Sequence, residues 1–122
     1  MGDFIMNKFE EELAKYKQFE KDREKNIHNR QQLEGQLTEN NLVKTELDLL
    51  EDGATVYKLI GPVLVKQDLT EAKQNVEKRI DYITSEIKRL EETIADSVTK
   101  QENQKQTVMR LQNAVTQRFR NK

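Results

Sequence analysis

The chain has 122 residues, 34% of them hydrophobic and 35% charged, with 21 basic side chains nearly balancing 22 acidic ones. That apolar fraction is too small for a compact globular core, for which about 45–50% is usual, while near-neutral charge and strong periodicity favour long exposed helices over disorder. The absence of Cys excludes disulfides, thiolate nucleophiles and zinc–sulfur sites.

The first expected element is a helix over residues 3–50. Its heptad seam reads Ile5, Phe9, Tyr16, Phe19, Arg23, Asn26, Arg30, Leu33, Leu37, Asn40, Lys44 and Leu47, with polar residues in several core slots. Leu13, Ile27, Leu42 and Val43 widen the apolar stripe. The remaining charges, including Glu10 to Glu12, read as a solvated face. Gly53 lies just past the expected end, where a left-handed cap is usual. The single histidine, His28, sits in a polar stretch with nothing to pair with as ligand or base, which places it on the helix surface.

Residues 54–67 break the pattern. The stretch around them holds the only Pro and two of the four Gly, and it is dense in β-branched and aromatic side chains. Two strand-like runs, Thr55–Ile60 and Val63–Gln67, flank Gly61-Pro62. Gly61 suits the positive φ of a tight hairpin turn, and Pro62 costs no ladder hydrogen bond there. An isolated hairpin is marginal in water because it has no second layer to cover its apolar face. This segment therefore reads as built to join something else. The assembly residues predicted from it are Val56, Tyr57, Leu59, Ile60, Gly61, Pro62, Val63, Leu64 and Val65.

A second helix is expected over residues 68–120. Asp68 is placed to cap it and Glu71 to complete a capping box. From Val76 the seam runs through Ile80, Ile83, Ile87, Leu90 and Ile94, then Gln101 and Gln104, to Val108, Leu111 and Val115. At 1.5 Å per residue such a helix is about 75 Å long.

Folding the chain back at its midpoint pairs position i with roughly 120 − i. Leu33 and Leu37 then meet Ile83 and Ile87 in a sound seam. Further out the pairs are poor, with Arg23 facing Ser97, Phe19 facing Gln101 and Tyr16 facing Gln104. The outer half is expected to be loose, its aromatic side chains partly covered. At the end, Phe4, Ile5, Phe9, Leu13 and Tyr16 lie near Val108, Leu111, Val115 and Phe119. This apolar tip has two compatible readings, a frayed coiled-coil core and an adaptable surface that grips non-native chains.

Catalysis needs convergent polar groups in a desolvated site. None is evident, and no phosphate-binding glycine motif occurs. The reading is a protein that is not an enzyme and has no cofactor or metal. No run approaches a membrane span of about 20 apolar residues, and Met1-Gly2-Asp3-Phe4 lacks the features of a signal peptide, so a cytoplasmic protein is expected. Between Val98 and Lys122, six basic residues meet one acid, Glu102, while residues 1–25 supply seven acids. No nucleic-acid-binding fold accompanies that basic patch, so attraction of acidic client segments or plain solvation is the expected reading, with phosphate binding testable by its salt dependence. A structural coiled-coil scaffold or dimerisation protein is the competing class. It explains the heptads but gives residues 55–67 no role.

Three segments carry a family resemblance: Gln36-Leu37-Thr38-Glu39-Asn40-Asn41-Leu42-Val43-Lys44-Thr45-Glu46-Leu47, the hairpin Val56 to Lys66, and Arg79-Ile80-Asp81-Tyr82-Ile83. Over about residues 5–110 the chain resembles the β-class prefoldin subunits, those of eukaryotes in particular. The resemblance implies a mainly α fold in which two long helices form an antiparallel coiled coil joined by a central β-hairpin. It also implies a hetero-hexamer of two α-class and four β-class subunits whose hairpins build a double β-barrel platform. By the same resemblance, the coiled-coil tips would hold unfolded polypeptides such as actin and tubulin and pass them, without ATP, to the cytosolic group II chaperonin. Partners would be the other subunits, unfolded clients and the chaperonin; the residues themselves give no membrane span and no nucleic-acid-binding fold that would add a membrane or nucleic acid to them.

Overall fold

A computed structural model describes residues 3–121, leaving Met1, Gly2 and Lys122 of the N-terminal and basic-patch readings outside it. In chain order it contains α1 (Asp3–Asp48), β1 (Val56–Ile60), β2 (Val63–Gln67) and α2 (Leu69–Arg120). These are the two helices expected from the heptad spacing and the intervening hairpin expected from its Gly-Pro pair and β-branched runs. The chain divides into two packing units, one of residues 30–89 and one of residues 3–29 with 90–121.

The hairpin unit is held by a small aliphatic cluster. Leu47 from the last turn of α1 packs with Leu69, Ala72 and Val76 from the start of α2, and Val56 and Ile80 lie against them. Ile83, two turns beyond Val76, is also buried. Each buried Leu, Ile or Val contributes about 1.5–3 kcal/mol of burial and Ala72 less, most of which offsets the entropy of ordering so long a chain. Asp68 caps α2 as expected: its Oδ2 accepts from the Glu71 backbone N–H at 3.2 Å, and its carbonyl accepts the first helical bond from Ala72 at 2.9 Å.

The other end of α1 departs from expectation. The helix stops at Asp48, and Leu49 and Leu50 close it with N–H bonds to Thr45, Glu46 and Leu47 carbonyls. Gly53 is therefore not its cap. It sits at φ +86° in the turn Glu51–Ala54, which the Ala54 N–H closes onto the Glu51 carbonyl at 3.1 Å. A type II turn demands that positive φ at its third position, and glycine adopts it without a Cβ penalty.

In the other unit the α1 and α2 seams face each other with Leu90 buried, while Phe9, Leu13, Tyr16 and Phe19 are half-buried. Its polar layers differ from the simple rise-per-residue alignment. Gln104 pairs with Glu12 instead of Tyr16, and Gln101 pairs with Arg23 instead of Phe19. The two pairs fall on opposite sides of the estimated register. Long side chains reach along the helix to polar partners and leave the aromatic rings to pack on their own.

Candidate functional site

The hairpin exposes six apolar side chains, Tyr57, Leu59, Ile60, Val63, Leu64 and Val65. Its strands pair antiparallel in the register Val56↔Gln67, Tyr57↔Lys66, Lys58↔Val65, Leu59↔Leu64 and Ile60↔Val63. Opposed residues share a face. Leu59 and Leu64 therefore lie on one face with Tyr57, while Ile60, Val63 and Val65 lie on the other with Val56. Gly61 at φ +57° and Pro62, whose ring fixes a negative φ, make the two-residue loop in the dihedral order of a type II′ turn.

Both faces are open. Leu59 and Leu64 are 67% and 64% exposed, and Ile60 and Val63 are 54% and 55%. Val56 is the exception, half-buried against the hairpin-unit core. The sheet has two strands and two outer edges, so one row of backbone N–H and C=O groups on each strand has no ladder partner. A ribbon apolar on both faces and open at both edges lacks the covering layer that an isolated hairpin needs.

The tip residues predicted from sequence all lie in one unit. Phe4 and Phe119 are largely exposed, whereas Ile5, Phe9, Leu13, Tyr16, Val108, Leu111 and Val115 are half-buried along the seam. Glu12 sits among them. Expected on a solvated face, it is one of the buried residues of the chain. Gln104 Nε2 donates to both its Oε2 at 2.6 Å and its backbone carbonyl at 2.8 Å, and the ammonium groups of Lys8 and Lys15 approach Oε1 at 3.3 and 3.4 Å. The Gln104 hydrogen bond, then Lys8 and Lys15, hold the carboxyl below its ordinary pKa against the opposing effect of burial. The clue in the sequence is the gap between Phe9 and Tyr16, where Glu12 occupies the missing seam position.

In the second polar layer Arg23 Nη1 donates to Gln101 Oε1 at 3.2 Å, and its Nε is buried with no hydrogen-bond partner. His28 is exposed, as its polar surroundings suggest. Among the described residues there is no cluster of three or more His, Cys, Asp or Glu able to hold a metal, and no helix long and apolar enough to cross a membrane.

Comparison with known proteins agrees with this architecture. A family model for prefoldin subunits matches residues 10–114. The chain belongs to the prefoldin subunit family. Prefoldin subunit 6 of Mus musculus is 51% identical over 112 residues, covering 92% of this chain and 88% of the relative. A probable prefoldin subunit 6 of Caenorhabditis briggsae is 54% identical over 109 residues, covering 89% and 85%. The fold is shared with the crystal structure of the prefoldin beta subunit from Thermococcus strain KS-1, at a TM-score of 0.74 over 88% of this chain and 92% of that one, with 20% sequence identity. Membership in the prefoldin family carries a co-chaperone role and other prefoldin subunits as partners.

Proposed function

We propose that this chain is a platform-forming subunit of a prefoldin hexamer, which holds unfolded polypeptides at its coiled-coil tips and hands them to the cytosolic group II chaperonin without using nucleotide. The observation that carries the reading is the ten-residue ribbon with two exposed apolar faces and two open edges. Neighbouring hairpins would satisfy the edge groups and bury Leu59, Leu64, Ile60 and Val63 together. A plain coiled-coil spacer has no use for such a ribbon. The half-buried tip side chains and exposed Phe4 and Phe119 supply adaptable apolar contacts for a client that lacks fixed shape.

The decisive variant is Leu59→Asp with Leu64→Asp. Both residues are exposed, so the change leaves the aliphatic cluster intact, whereas a charge at Val56 would also enter that cluster. Co-expressed with its partner subunits and weighed intact by native mass spectrometry, the double variant is expected to be absent from the hexamer. Incorporation at the wild-type level would refute the platform role.

A further inference from the structure

Where the hairpin meets the helices there is a groove of about 170 Å³ that the assembly ribbon does not account for. Buried Leu47, Ala72 and Val76, with half-buried Val56, form the apolar floor, and the half-buried amides Gln67 and Asn75 complete its wall. Exposed Val43, Tyr57, Lys58 and Arg79 stand at its mouth, and the lining carries two cations and no acid.

The apolar surface continues away from this groove. Next to Val43 on α1, Leu42 is 62% exposed, and in the turn that follows the helix Leu49 and Leu50 are 79% and 41% exposed. On α2, Tyr82 follows Arg79 by one turn and is 66% exposed. Large apolar side chains this open, on α1, on the turn after it and on α2, mark a contact surface. It borders the hairpin without a break, since Val56, Tyr57 and Lys58 belong to both.

We propose that this groove is a socket for a neighbouring prefoldin subunit, receiving one branched aliphatic side chain while an adjacent carboxylate of that neighbour meets Lys58 and Arg79. Three observations select the occupant. The volume suits a single aliphatic side chain and not an extended peptide. The floor is apolar, and the mouth is cationic. The socket also borders the surface already assigned to subunit assembly, and it rests on that assignment. A buried anchor ringed by polar contacts is the arrangement in which few residues carry most of an interface's affinity.

The chain contains no Cys, so Val43→Cys carrying a benzophenone maleimide places a photo-crosslinker at the mouth alone. Irradiation of the intact hexamer should join it to another subunit, at a segment where Leu, Ile or Val neighbours Asp or Glu. No inter-subunit adduct, or an adduct with bound client only, overturns the socket. In parallel, Arg79→Glu competing with wild type for incorporation should be disfavoured about tenfold, and Arg79→Lys should be nearly normal; equal incorporation of Arg79→Glu also overturns it. The Leu59/Leu64 double variant separates the two readings. If that variant still assembles, the platform reading itself fails. If it is excluded while residue 43 gives no adduct, the socket alone fails.

Discussion

Glu12 shows how a single polar residue can shape a long apolar seam. Its carboxylate is taken out of water, yet one hydrogen bond from Gln104 and two flanking ammonium groups surround it, while Gln104 also donates to the Glu12 backbone carbonyl. Because its folded pKa lies below the unfolded value, folding favours the ionised form. The resulting stabilisation is complete above the ordinary carboxylate pKa of 4.5 and is lost as pH falls through the lower folded value. Glu12→Gln is therefore expected to melt below wild type at neutral pH, with the difference shrinking as the solution is acidified below pH 4.5; a pH-independent gap in thermal melts would assign Glu12 a packing role only. Asp68 makes a simpler case. Removing its side-chain acceptor by Asp68→Ala should cost about 1 kcal/mol and speed amide exchange at Glu71, the residue whose N–H it caps.

Among the elements, α2 and the hairpin were legible because their signals are local and unopposed. Its cap, its four-and-three spacing and its freedom from Gly and Pro define α2, and one Gly-Pro pair between two β-branched runs fixes the hairpin. The end of α1 was not legible. Leu49 and Leu50 continue the apolar pattern and conceal the stop at Asp48, and Gly53 looks like a cap although it serves a separate turn. The partners of Gln101 and Gln104 were hidden for another reason. Register estimated from backbone rise ignores how far a Glu, Gln or Arg side chain reaches, and it placed both amides opposite rings. The hairpin turn offers a clean test. A Cβ at Gly61 would meet nothing within 4 Å, so Gly61→Ala should be resisted by its φ of +57° alone. The expected loss is about 1–2 kcal/mol, read as a lower melting temperature of the assembled complex. Gly61→Asn should lose less, since Asn tolerates that conformation. Equal losses would mean the turn is set by the neighbouring subunits and not by this dihedral.

For the molecule as a whole, assembly and client holding are assigned to separate groups of residues, so they should be separable by mutation. Deleting residues 1–13 together with 108–122 removes the exposed phenylalanines and all of the half-buried tip seam except Tyr16, while leaving the hairpin unit untouched. Such a variant should enter the hexamer normally and lose much of its suppression of aggregation by unfolded actin. Full suppression would move client contact to other parts of the helices. The two long helices followed from periodicity and the position of the ribbon from its Gly-Pro pair and β-branched runs, but the groove beside it did not. Its floor joins Leu47 to Ala72 and Val76 across the whole hairpin, and no spacing rule within one helix brings those residues together.

The open ribbon also has a consequence for supply. A copy made in excess of its partners would carry two bare edges and two oily faces into a crowded solution, a template for pairing with any other unfinished strand. Orphan copies would then be the ones most readily recognised and destroyed, so the same ten residues that we propose build the complex would also police its stoichiometry.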